Sequence, residues 1–147
     1  MLSVPGPEIP AAVERLQAGL KEQRRALVAL QADLARYRAE ELAAAAEPTP
    51  RGRLAVGALD ADANTLKTLA AAIVSRSGFV AVLVSTSRPV LVAVARSADV
   101  GVASHEVVAR LTAKFGGKGG GKPDLAQGGE LDAPAGTIFN EVRGMLA

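Results

Sequence analysis

Residues 115–129 of this chain have the sequence FGGKGGGKPDLAQGG, in which seven of the fifteen residues are glycine. Such a segment cannot form a hydrophobic core, because glycine has no side chain to bury and loses the most backbone entropy on folding. Glycine runs persist in folded domains where the backbone takes positive φ angles or where another group must approach it closely. Helical patterns flank the segment, so we predict a structured, glycine-rich loop at residues 116–129.

Three interpretations of this loop are open from the residues alone. Residues 116–122 have the G-x-x-x-x-G-K spacing of a phosphate-binding P-loop, but Pro123 replaces the required Ser or Thr, and a helical pattern stands where a strand should precede. A flexible spacer is disfavoured by the specific sequence PDLAQGG that ends the segment. We favour a rigid glycine turn that offers its lysines to a polyanion.

Basic residues recur at every fourth position through this region, and residues 107–123 contain no acidic residue. Arg110 and Lys114 are predicted to share one helix face that points toward the glycine loop, and Lys118 and Lys122 lie within the loop. A solvated helix edge is the alternative explanation. Adjacent glycine N–H groups favour an anion-binding site.

The segment GGKGGGKPDLAQGG resembles the signature of the DHH-associated domain at the C-terminus of alanyl-tRNA synthetases. The resemblance extends over the whole chain, because a long helical pattern precedes an α/β pattern in the order of that C-terminal extension. Glu130 departs from the family, in which many members have a further glycine there. The resemblance implies a non-catalytic arm that binds the corner of tRNA, links aminoacylation with editing and, in some members, dimerises through its helical element.

Given this implied function, the chemistry of the residues indicates which of them would bind RNA. Structured RNA is recognised through its shape, phosphates and 2′-hydroxyls, which calls for cations, backbone N–H groups and amide donors. For Gln127, a role in contacting RNA and a structural role in holding the loop together are equally consistent with the sequence. Alanine-specific tRNA is the expected partner, and the candidate RNA-binding residues are Arg110, Lys114, Gly116, Gly117, Lys118, Gly119, Gly120, Gly121, Lys122 and Gln127.

Residues 10–46 have the composition of one long helix. Apolar residues at alternating three- and four-residue steps predict a coiled-coil seam, interrupted by Gln23 at a d position. A narrow apolar stripe needs a partner: the same helix of another chain, a helix outside this sequence, the globular domain, or the helix folded back on itself. We favour a homodimer. The predicted seam residues are Val13, Leu16, Leu20, Leu27, Leu30, Leu34 and Tyr37.

The pattern changes after residues 48–52, which we predict to be a linker. Strands are predicted at residues 53–59, 79–85 and 90–95, and helices at 65–75, 105–115 and 133–146, with Ser104 as a helix cap. The domains are therefore a helical dimerisation region at 1–47, the linker, and a globular domain at 53–147. This order predicts an α/β (α+β) fold in which helices cover one face of a small mixed sheet.

Composition excludes several functions. With no cysteine, one histidine, three phenylalanines and no tryptophan, the chain offers neither a thiolate or histidine-rich metal centre nor an aromatic base-stacking platform. His105 is predicted to be exposed or capping. We expect no catalytic residue and no cofactor in this chain, because the ATP and zinc sites of a full synthetase would lie outside it. Without a long apolar run or a signal pattern, we also expect no membrane contact and a cytoplasmic location.

Two other classes of function stay open. One is an accessory substrate-binding domain of a DHH-type phosphoesterase, although related domains there bind the nucleotide through a glycine motif containing histidine, which this loop lacks. The other is a pure oligomerisation module in which the globular domain is a passive cap.

Overall fold

The computed structural model describes residues 8–147, with side chains described from residue 11. The first seven residues of the predicted 1–47 region lie outside this range. The elements are α1 (Glu8–Ala44), β1 (Glu47–Thr49), β2 (Gly52–Leu59), α2 (Ala63–Val74), β3 (Phe79–Ser85), β4 (Val90–Arg96), α3 (Ser104–Phe115), β5 (Lys118–Gly121), β6 (Leu125–Leu131) and α4 (Ala135–Leu146). None of the described helices combines the length and apolar character needed to cross a membrane.

The chain forms two compact units, Met1–Leu34 and Ala35–Ala147. In the first unit, the described residues belong to α1, and every side chain from residue 11 to 34 is exposed. The long helix predicted at residues 10–46 is therefore confirmed, with its end displaced by two residues. The boundary between the units falls within α1 and not at the predicted linker.

The second unit is built on one six-stranded sheet with the order β1-β2-β3-β4-β6-β5. Strands β2 and β3 are parallel and are joined through α2, whereas all other neighbours are antiparallel. All seven residues of β3 are buried. Its sequence, FVAVLVS, supplies an apolar side chain to both faces, as expected of a central strand. The predicted mixed sheet is confirmed.

Helices cover both faces of the sheet, so the prediction of helices on one face is wrong. Valines of β3 and β4 pack with α3 and α4 on one face, in a cluster that includes Leu111 and Ile138. On the other face, alanines of β2, β3 and β4 pack with α2 and with Ala39 and Ala43 of α1. The small alanine side chains allow helices to pack closely on this face. Because successive residues of a strand point to opposite faces, the alternation of valine and alanine in β3 and β4 puts the valines on one face and the alanines on the other.

Residues 48–52 are part of the sheet and not a linker. Pro48 and Thr49 belong to β1, which pairs with the start of β2, and Gly52 makes the turn possible with a φ of 142°. The Arg143 guanidinium donates to both carboxylate oxygens of Glu47, at 2.9 and 2.7 Å, and so ties α4 to β1. These hydrogen bonds lower the pKa of Glu47 and raise that of Arg143.

The two helices that start near the candidate site begin differently. Asp62 caps α2, because its Oδ1 accepts from the Thr65 N–H at 2.8 Å, and hydrogen bonds from Thr65 lower the pKa of Asp62. Ser104 is not the predicted cap of α3 but its first residue, fully buried, with its N–H donating to the Pro123 carbonyl at 2.8 Å. His105 is half-buried and not exposed, since it follows this anchored residue.

Candidate functional site

The glycine-rich segment forms a β-hairpin and not a loop. Residues 118–121 of β5 pair antiparallel with residues 126–129 of β6, and β6 pairs with β4 on its other side. Strand β5 is therefore an edge strand, and all four of its residues are exposed. The spacer interpretation is wrong, and so is the P-loop interpretation, which needs a strand before the glycines and a helix after them.

The turn of the hairpin is fixed to the rest of the sheet. The Arg96 side chain donates through Nε to the Pro123 carbonyl at 2.9 Å, and its backbone N–H donates to the Asp124 carbonyl at 3.0 Å. Together with the hydrogen bond from Ser104, these contacts hold residues 122–124 against β4 and α3. The glycine segment is therefore held to the domain by strand pairing and by this anchored turn, while its rigidity stays a prediction.

Three glycines of this segment, Gly117, Gly119 and Gly121, are required by the fold itself. A Cβ on Gly119 would lie 2.5 Å from Cγ1 of Val108 on α3, and one on Gly117 would lie 2.1 Å from the Gly129 carbonyl oxygen. Gly117 also has a φ of 92°. Packing of α3 therefore excludes a larger residue at Gly119, and the backbone of β6 excludes one at Gly117 and at Gly121.

Gly120 differs from these glycines, because no atom of the described residues lies within 4 Å of the position that its Cβ would take. It is exposed, and its φ is outside the left-handed region. The fold places no steric demand on this position. The bare backbone of Gly120 is therefore open to the approach of another molecule.

Gln127 lies opposite Gly120 in the hairpin and contacts α2. Its Nε2 donates to the carbonyl oxygen of Ala63, at the first residue of α2, over 2.8 Å. This hydrogen bond supports the structural role that the sequence left open, since the amide donor is engaged within the chain.

The four predicted cations do not form one row. Lys118 and Lys122 are exposed on the hairpin, and neither has a carboxylate partner among the described residues. Lys114 instead donates to Glu141 of α4 at 2.6 Å. The expectation that Arg110 and Lys114 point toward the glycines is wrong, because α3 packs its Val107–Val108–Leu111 side on the sheet and turns the face of Arg110 and Lys114 to α4.

Arg110 lines a small cavity between α3 and the end of α4 instead. Arg51, from the turn between β1 and β2, lines the same cavity. Sequence reasoning missed Arg51 because it stood in the predicted linker. A turn signal was available, since Arg51 and Gly52 follow two prolines within a short polar stretch.

The predicted seam on α1 is exposed along its whole described length. The exposed fraction of its side chains ranges from 46% for Val13 to 70% for Leu16. In the second unit, α1 packs on the sheet through Ala39, Leu42 and Ala43, while Tyr37 stays 60% exposed. The docked face of residues 35–44 is therefore not the predicted seam.

No group of three or more potential metal ligands occurs among the residues that the structure describes. Within the same residues, Ser104 Oγ and His105 Nδ1 are buried without a hydrogen-bond partner. They belong to consecutive residues at the start of α3, and no carboxylate accompanies them in a metal-binding arrangement.

Comparison with known proteins gives consistent similarities. The family model "DHHA1 domain" matches residues 51–135. Alanine–tRNA ligase of Thermosynechococcus vestitus is 36% identical over 129 residues, which are 83% of this chain and 15% of the ligase. The chain thus spans about one seventh of the length of this relative.

Two solved structures share the fold. The C-Ala domain from Aquifex aeolicus alanyl-tRNA synthetase superposes with a TM-score of 0.64 and 22% identity, over 69% of this chain and 96% of that domain. RecJ from Thermus thermophilus superposes with a TM-score of 0.62 and 18% identity, over 88% of this chain and 20% of RecJ. The two TM-scores are nearly equal, so the fold alone does not distinguish the C-Ala domain from RecJ. The sequence similarity reported above is to alanine–tRNA ligase.

Proposed function

This chain belongs to the DHHA1 domain family, and we propose that it is a non-catalytic tRNA-binding domain of the kind found at the C-terminus of alanyl-tRNA synthetases. In this role it holds alanine tRNA by its elbow while other parts of the enzyme perform aminoacylation and editing. ATP and zinc chemistry then belong to those other parts, and this chain contributes binding free energy and orientation.

The exposed edge strand β5 carries the proposal. Three of its four residues are glycine, so no side chain larger than hydrogen covers the backbone there, and Gly120 is open to solvent. Lys118 and Lys122 stand at the two ends of this bare backbone without carboxylate partners in the described chain. Phosphates and 2′-hydroxyls are bound by cations together with backbone groups, which is the combination that β5 offers.

The exposed seam of α1 supports a second part of the proposal, which is that the chain forms a homodimer. Seven large apolar side chains follow a heptad pattern and are each about half or more exposed. In water such a stripe is stabilised by burial against an equivalent helix. Dimerisation would double the number of tRNA-binding surfaces in the assembly.

Two alternatives are less well supported. An accessory domain of a DHH-type phosphoesterase agrees with the shared fold of RecJ, but that similarity, at 18% identity, concerns the fold alone. A pure oligomerisation module would need no exposed lysines beside a bare strand.

Charge reversal on the hairpin tests the tRNA-binding proposal. The double variant Lys118→Glu/Lys122→Glu is expected to weaken binding of alanine tRNA by about ten-fold or more, because two phosphate contacts are lost and two repulsions are added. Filter binding or fluorescence anisotropy at fixed salt measures this effect.

The matched control is Lys21→Glu/Lys67→Glu, which changes the net charge equally at exposed lysines of α1 and α2. It should bind within about two-fold of the unmodified chain. If the hairpin variant also stayed within two-fold, or if both variants lost the same affinity, the hairpin would not be the RNA-binding surface.

A further inference from the structure

A cavity of about 90 Å³ lies between the first half of α3 and the end of α4, beside the turn that joins β1 to β2. Its polar lining is formed by Arg51, Glu106 and Arg110. Val102, Ala103, Val107, Met145 and Leu146 complete the wall. Two arginines that are far apart in the sequence thus line one small concave site.

The two arginines lack the ion pairs that neighbouring cations have. Glu47, four residues before Arg51, accepts hydrogen bonds from Nε–H and Nη2–H of Arg143. Glu141 of α4 is held by Lys114. Among the described residues, neither Arg51 nor Arg110 has an ion pair through its guanidinium, and Glu106 does not come within 4.0 Å of either.

Arg51 and Arg110 are both exposed, so an anion can reach them from solvent, and a shared anion would offset the repulsion between two like charges at one site. Guanidinium groups present planar pairs of donors that match the oxygens of a phosphate group. The first turn of α3 also lines the cavity, and the positive end of the helix dipole adds to the attraction for an anion.

We propose that Arg51 and Arg110 bind one phosphodiester of the RNA backbone, as a second anchoring point beside the glycine hairpin. This inference rests on the proposed tRNA-binding function. With Glu106 included, the polar lining has a formal charge of +1, which matches a phosphodiester monoanion better than a phosphate dianion. Glu106 lines the same cavity, and a carboxylate can accept a hydrogen bond from the 2′-hydroxyl of a neighbouring ribose.

The cavity and the hairpin lie on the same helix, α3. Val107 lines the cavity, whereas the next residue, Val108, packs against Gly119 of the hairpin. The two arginines and the two hairpin lysines share no ion pair or hydrogen bond among the described residues, so their contributions to binding should be nearly independent. A folded RNA that contacts both should therefore show additive losses when each is altered.

The test is the variant Arg51→Ala/Arg110→Ala in the 147-residue chain. Its affinity for alanine tRNA should fall by at least about five-fold, and the slope of log K against log salt should decrease by about 1, as for one lost phosphate contact. When these substitutions are combined with Lys118→Glu/Lys122→Glu, the two fold-losses in affinity should multiply, which means that the losses in binding free energy add. Arg51→Lys/Arg110→Lys should recover only part of the affinity, because lysine keeps the charge but not the paired donors.

The matched control is Arg38→Ala/Arg88→Ala, which removes two arginines that line a separate surface depression near the start of α2. It should leave the affinity for tRNA within about two-fold of the unmodified value. The slope of log K against log salt should stay within about 0.5, as expected if no phosphate contact is lost. Both arginine variants should melt at the temperature of the unmodified chain. If tRNA bound with unchanged affinity and slope after loss of Arg51 and Arg110, the inference would be overturned while the tRNA-binding proposal stood.

A second probe separates the two proposals if the chain binds no tRNA. Dimethyl phosphate, a phosphodiester monoanion, should shift the Nε–Hε NMR signals of Arg51 and Arg110, and inorganic phosphate should do so more weakly. Loss of the Arg110 shift in Arg51→Ala, and of the Arg51 shift in Arg110→Ala, would support the cavity even where tRNA binding fails. No shift, or tighter binding of inorganic phosphate, would overturn it.

Discussion

Gly119 and Gly120 are adjacent and chemically identical, yet their surroundings differ. Gly119 faces α3, where Val108 leaves no room for a methyl group, whereas Gly120 faces open space opposite Gln127. The fold explains the first glycine and not the second. A ligand that approaches the β5 backbone would explain the second.

Alanine substitutions at these two positions separate fold from function. Gly119→Ala is expected to destabilise the chain by about 1–3 kcal/mol, because its methyl group would overlap Val108 and the Gln127 carbonyl. Gly120→Ala should leave the unfolding free energy within about 0.5 kcal/mol. It should still weaken tRNA binding several-fold, since the methyl group would stand between RNA and the backbone.

Denaturant unfolding and tRNA titration of both variants provide the measurements. The proposed contact at β5 would be contradicted if Gly120→Ala bound tRNA as tightly as the unmodified chain. A Gly120→Ala variant that lost stability instead would show that the position serves packing.

Elements with strong apolar patterns were predictable from the sequence. The strands at residues 79–85 and 90–95 were predicted to within one residue, because their valines and leucines have no polar interruption. The helix predicted at 105–115 begins one residue earlier. In these segments the side chains themselves determine the structure.

The strands β1, β5 and β6 were not predicted, for different physical reasons. Strand β5 has no apolar side chain and exists because its backbone pairs with β6 while α3 packs on its glycines. Strand β6 contains GG, which has low strand propensity, and is stabilised by pairing on both sides. Strand β1 has only three residues, one of them Pro48. Tertiary pairing thus overrides local preference at all three.

The candidate site was only partly predictable for a related reason. Four-residue spacing correctly puts Arg110 and Lys114 on one face of α3, but spacing alone does not say which neighbour that face meets. The structure pairs Lys114 with Glu141 and brings Arg110 to Arg51, over a sequence separation that no local pattern spans. Lys118 and Lys122 are the predicted cations that stay available on the hairpin.

The exposed apolar seam of α1 leads to a testable prediction about the oligomeric state. Leu27→Asp is expected to convert a dimer into a monomer and halve the mass measured by light scattering, because a charge at an a position opposes burial against a second helix. Ala32→Asp is the matched control, since it adds the same residue to the opposite side of the helix and should leave the dimer intact. Unchanged mass for Leu27→Asp would exclude the seam as the dimer interface.

Viewed as one chain, the protein has three distinct surfaces. The glycine hairpin lies at one edge of the sheet, the arginine cavity lies between α3 and the end of α4, and the apolar seam lies on α1. The family match covers residues 51–135, which include the hairpin, Arg51 and Arg110. The resemblance inferred from the glycine-rich segment is therefore confirmed, while RNA binding and dimerisation are proposals that these surfaces support.

The decisive measurement is a titration of this chain with alanine tRNA and with a variant of that tRNA whose elbow cannot fold, each at about 50 and about 200 mM salt. We predict that the folded tRNA binds, that its affinity falls at least about ten-fold between the two salt concentrations, and that loss of the elbow removes most of the binding. Equal binding of both RNAs, or no binding of either, would contradict the proposal that this domain recognises the tRNA elbow.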